Sequence, residues 1–127
     1  MTPTELIQDL FAAFGRGDIP YILDRLTPDC RWIAPGNGIP NAGVYSGPEG
    51  ASEFFRRLAA SENITRFEPR EFFAKGDSVV ALGYEACTTS SGKAVDTEWA
   101  MLFRVRDGKV SMFQSYYDTS AYMLAHQ

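Results

Sequence analysis

Apolar and polar side chains alternate along the C-terminal part of the chain with the two-residue period of a β-strand. Two such stretches, Glu98–Arg106 and Lys109–Asp118, are rich in aromatic and β-branched residues. They are joined by Asp107-Gly108, a dipeptide that tolerates the positive φ angles of a type I′ turn. The pattern therefore predicts a β-hairpin with a two-residue turn.

The turn sets the register of this hairpin, and the register predicts its two faces. With two residues in the turn, Phe103 is expected opposite Met112, and Trp99 opposite Tyr116. One face then carries Trp99, Met101, Phe103, Val105, Val110, Met112, Gln114 and Tyr116, and the other carries Glu98, Ala100, Leu102, Arg104, Ser111, Phe113, Ser115 and Tyr117. Neither face is polar enough to be exposed to solvent. We therefore expect helices to cover one face and a second copy of the chain to cover the other. Alternatively, both faces are ordinary core.

Helical spacing of apolar residues dominates the first half of the chain. Thr2 and Glu5 match a capping box, and the apolar residues of 6–14 then fall on one stripe. A second, shorter helix is predicted over Ile19–Leu26. A third is predicted from Ser46 to about Ala60, with an apolar stripe of its own.

Strands are predicted between and after these helices. Cys30–Ala34 is a short strand, and Pro35–Gly47 is a Gly-, Pro- and Asn-rich loop that is either a functional rim or a plain connector. Further strands are expected over Ile64–Phe73, where Pro69 indicates an edge or a bulge, and over Ser78–Thr88. Because the helices come first and the strands follow in succession, the fold class is α+β rather than a parallel βαβ sheet.

Length and charge narrow the possible functions. A chain of 127 residues is expected to form one domain, 1–127, with a hydrophobic core. The net charge of −4 and the absence of a Lys/Arg cluster argue against nucleic-acid binding. The sequence shows no signal peptide and no apolar run long enough for a bilayer, so we expect no membrane attachment and a cytoplasmic location.

Residue types that often bind metals or cofactors are scarce. Cys30 and Cys87 are expected to be buried thiols rather than a disulfide. The single histidine, His126, is next to last and is predicted to be frayed. The sequence therefore predicts no metal site, no cofactor and no histidine-activated nucleophile.

Five short motifs occur in an order that resembles the SnoaL-like branch of the nuclear-transport-factor-2-like (NTF2-like) superfamily. They are Gly17-Asp18, Trp32-x-Ala34-Pro35-Gly36, Tyr45-Ser46-Gly47-Pro48-Glu49, Arg106-Asp107-Gly108-Lys109-Val110 and Tyr116-Tyr117-Asp118-Thr119. The resemblance covers nearly the whole chain and implies a cystatin-like cone. In such a cone a curved, mostly antiparallel mixed sheet wraps about three N-terminal helices and encloses a pocket. It also implies a homodimer through the outer sheet face, expected here at Trp99, Met101, Phe103, Met112 and Tyr116.

The superfamily contains many activities, so the fold alone does not give the function. Where ketosteroid isomerases carry their general base and oxyanion-hole groups, this chain has Ala34, Ala100 and Leu10, which excludes that chemistry in its usual form. Among the positions that epoxide hydrolases use, only Glu85 keeps a carboxylate. Gly83 stands where their arginine would be, so that resemblance implies an incomplete site.

Three residues are candidates for catalysis. The resemblance to SnoaL-type cyclases implies an acid/base aspartate that corresponds best to Asp118, although Asp118 also suits the N-cap of a helix beginning at Thr119. Glu85 is expected in an apolar wall, where desolvation would raise its pKa; alternatively it reaches solvent or pairs with Arg104. Tyr117 could donate a hydrogen bond to a substrate oxygen.

These candidates are expected to face a pocket that takes a small, mostly apolar molecule. Its wall is predicted to comprise Trp32, Ala34, Gly83, Glu98, Ala100, Leu102, Phe113 and Ser115. Two functions fit this site. One is a cofactor-free acid/base enzyme that isomerises, cyclises, dehydrates or hydrates an oxygenated substrate; the other is a non-catalytic, dimeric ligand-binding or accessory domain. The polar residues at Glu85, Ser115 and Tyr117 favour the enzyme.

Overall fold

The computed structural model describes residues 1–127 as a curved six-stranded sheet packed against helices. The elements are α1 (Pro3–Gly15), α2 (Ile19–Leu23), β1 (Leu26–Ala34), β2 (Gly43–Ser46), α3 (Gly47–Ser61), β3 (Glu62–Lys75), β4 (Ser78–Thr89), β5 (Ala94–Arg106), β6 (Lys109–Tyr117) and α4 (Thr119–Ala125). The strands lie in the order β2-β1-β6-β5-β4-β3, and β1 and β6 form the one parallel pair. The α+β class and the mostly antiparallel mixed sheet are confirmed.

The first helix begins as its capping pattern predicts. The hydroxyl of Thr2 accepts a hydrogen bond from the Glu5 amide at 3.1 Å, and the Glu5 carboxylate accepts one from the Thr2 amide at 2.8 Å. Several boundaries differ from the prediction; β1, for example, begins at Leu26 rather than at Cys30. The second helix ends at Leu23 because the chain enters β1 at Leu26, and part of the expected loop pairs with β1 as β2. None of the helices is long and apolar enough to cross a membrane.

The hairpin between β5 and β6 has the predicted turn but not the predicted register. Asp107 and Gly108 both have positive φ angles, 53° and 76°, and Val105 lies opposite Val110. Ser111 is then an additional residue in β6, so the ladder resumes one position later. Such a bulge reverses which side chains of the two strands share a face.

The bulge corrects the predicted pairs and the expected dimer face. Phe103 lies opposite Phe113 rather than Met112, and Trp99 lies opposite Tyr117 rather than Tyr116. Trp99, Met101 and Phe103 therefore point toward the helices, on the same side as Phe113, Ser115 and Tyr117. The outer face instead carries Glu98, Ala100, Leu102, Met112 and Tyr116.

The core between the sheet and α1 is a stack of aromatic rings around Trp99. Its ring is stacked on Phe11 and Phe67, with centroid distances of 5.7 and 5.2 Å. Gly83 lies opposite Trp99 on the neighbouring strand and leaves room for the indole. A Cβ atom on Gly83 would lie 2.3 Å from the Trp99 ring and 2.5 Å from the Glu68 carbonyl oxygen.

We expect Gly83→Ala to destabilise the protein. The clash involves backbone as well as side chain, so the free energy of unfolding should fall by about 1–3 kcal/mol. Urea titration followed by circular dichroism measures it. Gly15→Ala is the control, because a Cβ there meets nothing within 4 Å. Equal stability of the two variants would contradict the close packing at Gly83.

Candidate functional site

A cavity lies between the concave face of the sheet and the first three helices. The volume of this cavity is about 100 Å³, which is several times what a single water molecule needs. Sixteen of its twenty lining residues are hydrophobic, so it suits an apolar ligand. The aromatic rings that line it, apart from two tyrosines, are Phe11, Phe14, Trp32, Phe54, Phe55, Phe67, Phe103 and Phe113.

Trp32 and Phe113 form one wall of this cavity. They are paired on the adjacent strands β1 and β6, and their rings stack with centroids 4.1 Å apart. The indole N–H of Trp32 is buried and has no hydrogen-bond partner. This wall is flat, aromatic and suited to contact with another ring.

The polar part of the lining comes from five different elements. The loop between β1 and β2 provides Asn41, the start of β3 provides Glu62, β4 provides Glu85, and β6 and α4 each provide a tyrosine, Tyr117 and Tyr122. The two tyrosine rings lie 4.8 Å apart, centroid to centroid. Together with Ser115 on β6, these side chains are the polar groups that a bound molecule would meet.

Glu85 lies on the inner face of β4 without an arginine partner. The alternative pairing with Arg104 does not occur, because that guanidinium donates to the Ser78 hydroxyl at 2.8 Å on the outer side. Burial raises the pKa of the Glu85 carboxyl to about 7, and the nearby charge of Glu62 adds to the increase. The nearby Tyr122 hydroxyl acts in the opposite direction and lowers that pKa, although no hydrogen bond of normal geometry joins the two groups. Near neutral pH, Glu85 can therefore either give or accept a proton.

Glu62 is a second buried carboxyl group in the cavity wall. One of its oxygens, Oε2, lies 3.2 Å from the Asn41 amide nitrogen and 3.0 Å from Nε2 of His126. The other oxygen accepts from the Cys87 thiol at 3.8 Å. The side chains of Glu62 and His126 are only 3% and 2% exposed, so this contact is shielded from solvent.

The prediction that His126 is frayed is wrong. The Thr89 hydroxyl donates to the Ala125 carbonyl at 2.6 Å, and the Ser91 hydroxyl donates to the His126 carbonyl at 2.9 Å. These bonds tie the end of α4 to the turn between β4 and β5. Nothing in the local sequence near the C-terminus indicates a partner that lies 64 residues earlier in the chain.

The tyrosines of the cavity remain protonated. Burial raises the pKa of both Tyr117 and Tyr122 well above the ordinary value, and the nearby carboxylates add to the effect. Each hydroxyl is therefore a potential donor to a ligand oxygen at neutral pH. The Tyr122 hydroxyl is buried and has no hydrogen-bond partner within the chain.

Asp118 does not line the cavity. Its side chain is exposed and accepts a hydrogen bond from the Ala121 amide at 3.1 Å, as the N-cap of α4. The alternation of side chains places it away from the interior, and no bulge at the end of β6 redirects it. Of the two roles weighed from the sequence, the structure gives the cap.

Only some of the residues that are predicted for the cavity wall lie together in the structure. The candidates that line the cavity are Trp32, Ala34, Glu85, Phe113, Ser115 and Tyr117. Glu98, Ala100 and Leu102 do not, because the bulge at Ser111 places them on the outer face. Gly83 lies beneath the Trp99 ring instead.

Four polar or titratable residues of the site are not predicted by the sequence patterns. They are Asn41, Glu62, Tyr122 and His126. One signal was available: Tyr122, Ala125 and His126 have the i, i+3, i+4 spacing of a buried helix face. Glu62 gave no such signal, since it lies at the junction of α3 and β3, where neither period applies.

The two cysteines are free and buried. Burial raises the pKa of Cys30 to about 11 and that of Cys87 to about 12. Both thiols therefore stay protonated at neutral pH and are poor nucleophiles. No group of three or more His, Cys, Asp or Glu side chains is arranged to hold a metal ion.

Comparison with known proteins agrees with the family expected from the motifs. The SnoaL-like domain family matches residues 7–112. An uncharacterized protein of Mycobacterium tuberculosis is 27% identical over 114 residues, covering 89% of this chain and 86% of that protein. An NTF2-like protein of Burkholderia xenovorans has a similar structure (TM-score 0.89), with 30% identity over 98% of this chain and 95% of that one. TerC, co-crystallized with polyporic acid, is 28% identical (TM-score 0.87), over 98% and 97% of the two chains. The chain belongs to the SnoaL-like domain family.

Proposed function

We propose that the protein is a cofactor-free acid/base enzyme for a small, mostly apolar, aromatic molecule with one or two oxygens. The observation that carries this proposal is the position of Glu85, a carboxyl group with a pKa of about 7 that faces an aromatic cavity. A titratable group with a strongly shifted pKa in a concave apolar site is a frequent mark of catalysis.

Proton transfer by Glu85 would serve several related reactions. Isomerisation, cyclisation, dehydration and hydration all move a proton to or from a carbon or oxygen near a carbonyl group. Tyr117, which is protonated and lines the cavity, would hold the substrate oxygen. One well-placed acid or base accelerates such a step by about 10²–10⁴-fold, so we propose a modest rate enhancement.

The likeness to TerC supports an aromatic substrate. TerC was crystallized with polyporic acid, and half of the residues that line the cavity of this protein are aromatic. The Trp32 and Phe113 pair would stack on a planar ligand. Quenching of tryptophan fluorescence by polyporic acid would test whether the two proteins share this ligand class.

Deuterium exchange into β-tetralone, an aryl-fused ketone with acidic C–H groups, tests the proposed chemistry. We expect the protein in deuterium oxide to accelerate exchange over buffer, and Glu85→Gln to reduce the catalysed rate by about 10²–10⁴-fold. Glu98→Gln is the matched control, because Glu98 lies exposed on the outer face. Exchange that is equally fast in Glu85→Gln would exclude Glu85 as the proton-transferring group.

A non-catalytic ligand-binding domain is the second candidate. It is favoured by Leu10 and Ala34, which line the cavity at positions where isomerases carry catalytic groups. A binding domain would quench its tryptophan fluorescence with β-tetralone equally in the wild type and in Glu85→Gln. It would not accelerate exchange in either, which separates it from the enzyme.

We also propose that a second copy of the chain covers the outer sheet face. Tyr116 is 49% exposed there, and it lies opposite Ala100 with Leu102 and Met112 on the same face. Apolar surface of this kind is typical of an interface. We expect sedimentation at tens of micromolar to show two chains, and Tyr116→Glu to give one. Leu124→Glu, at an exposed apolar site on α4, should leave the dimer intact, and a single-chain wild type would contradict the proposal.

The cellular location is proposed from the thiols. Cys30 and Cys87 are both free and buried. Unpaired cysteines are typical of a reducing compartment. We therefore propose the cytoplasm, which localisation of a fluorescent fusion would test.

A further inference from the structure

We propose that Glu62 is the second proton-transferring group of the cavity and that His126, the penultimate residue, is its positioning residue. This inference rests on the proposed acid/base function and adds the group that acts together with Glu85. Neither residue belongs to the sets that isomerases or epoxide hydrolases use at Ala34, Ala100 or Gly83. The geometry that supports it spans three distant parts of the chain.

Glu62 is oriented by two nitrogen donors. The Asn41 amide donates to Oε2 at 3.2 Å, and Nε2 of His126 lies 3.0 Å from the same oxygen. Donors of this kind hold a carboxylate in one orientation. The carboxylate is thereby fixed in the wall of the cavity, which a proton-transferring group requires.

The state of the histidine ring follows from its second nitrogen. Nδ1 of His126 is buried and has no hydrogen-bond partner. A hydrogen on Nδ1 alone would leave a buried donor unpaired and would turn the Nε2 lone pair toward the carboxylate oxygen, an arrangement without a hydrogen bond. A hydrogen on Nε2 makes the ring a donor to Glu62. His126 thus acts through Glu62 and has no contact with the cavity itself.

Glu62 and Glu85 face one cavity in different environments. Glu62 has two nitrogen donors, whereas Glu85 has no hydrogen bond of normal geometry. Two carboxyl groups that differ in this way divide into a base and an acid. Glu62 is suited to take a proton, and Glu85 to give one.

The other titratable groups around the pair do not compete with it. Cys87 on β4, Tyr117 on β6 and Tyr122 on α4 all stay protonated because burial raises the pKa of each. No lysine or arginine lines the cavity. The titratable groups of the cavity wall that remain for proton exchange with a ligand are the two carboxyls, Glu62 and Glu85.

The proton-transfer step can be written for a ketone. The Glu62 carboxylate removes a proton from the carbon next to the carbonyl group, and the C–H electron pair forms a carbon–carbon double bond. The carbonyl π electrons move to oxygen, which takes the proton of Glu85. The products are an enol, a neutral Glu62 and an ionised Glu85. In deuterium oxide the hydrogen on Glu62 exchanges for solvent deuterium, and reversal of the step then returns deuterium to carbon.

Deuterium exchange into β-tetralone, measured with four variants, tests the roles of Glu62 and His126. Glu62→Gln should lower kcat by about 10²–10⁴-fold with KM changed less than about twofold. His126→Phe should lower kcat by about 10–100-fold, the value of a hydrogen bond to a charged group. His126→Gln, whose amide can replace Nε2, should recover most of that loss. Glu98→Gln should match the wild type.

The outcomes separate this role from the proposed function. If Glu85→Gln loses exchange but Glu62→Gln keeps it, the acid/base function stands and the role of Glu62 is overturned. If the wild type does not accelerate exchange, both fail. If His126 had only a structural role, His126→Phe and His126→Gln would lower thermal stability equally, and His126→Gln would not recover kcat. That result would overturn its positioning role.

Carboxyl-carbon NMR adds a measurement that does not depend on turnover. In Glu62→Gln the pKa of Glu85 should fall, and an unchanged pKa would show that Glu62 carries no charge, which would overturn its role as the base.

Discussion

The Glu85→Gln variant is expected to be more stable than the wild type at pH 8. The difference in their unfolding free energies should be up to about 3 kcal/mol larger there than near pH 4.5. Burial raises the pKa of Glu85 from its ordinary value of 4.5 to about 7. In the wild type, ionising this buried carboxyl opposes folding. The cost is absent below the unfolded-state pKa, grows between about pH 4.5 and 7, and is complete above that range. Glutamine never ionises and avoids it.

Urea unfolding at several pH values measures this effect. The difference in unfolding free energy between Glu85→Gln and the wild type should rise with pH through the stated window and then level off. Glu98→Gln should show no such dependence, since that side chain is exposed. Parallel stability curves for Glu85→Gln and the wild type would show that the carboxyl is solvated in the folded state.

Trp99→Ala is expected to lower the free energy of unfolding by about 3–5 kcal/mol, as for other large buried aromatic residues. The indole is 3% exposed and stacks between Phe11 and Phe67. Had the hairpin kept the register without the bulge, the same change would weaken a dimer and leave the single chain nearly as stable. Urea unfolding and sedimentation of the same variant therefore distinguish the two registers.

Tyr116→Ala is the matched control for that experiment. Tyr116 is 49% exposed on the outer face, so its removal should change the stability of the single chain by less than about 1 kcal/mol. The comparison is made at a concentration where sedimentation shows single chains. A large loss at Tyr116 with a small one at Trp99 would mean that the face assignment is reversed.

Most of the fold could be predicted from local signals. The capping box at Thr2, the positive φ angles at Asp107-Gly108 and the bulge next to Pro69 are consequences of neighbouring residues, and all are present. Ser111 was different. A serine does not indicate a bulge. One additional residue shifted every predicted pair beyond it and placed the β5 side chains on the face opposite to the predicted one, whereas Phe113, Ser115 and Tyr117 of β6 kept theirs.

The residues of the candidate site fall into the same two groups, those that a local pattern predicts and those that it does not. Glu85, Phe113 and Tyr117 line the cavity, on the faces that strand alternation predicts within each strand. Glu62 and His126 were missed because their contact joins a helix–strand junction to the end of the chain. Contacts between such distant segments depend on tertiary packing, which no local period encodes.

The contacts of His126 affect how the protein is best produced. The Ser91 hydroxyl donates to the carbonyl of His126, and the imidazole of this residue lies beside Glu62. An affinity tag joined directly after Gln127 would begin two residues from that imidazole, and a truncation that removes His126 would delete the ring. Material for assays is therefore better purified through an N-terminal tag, with the intact mass checked before any absence of activity is interpreted.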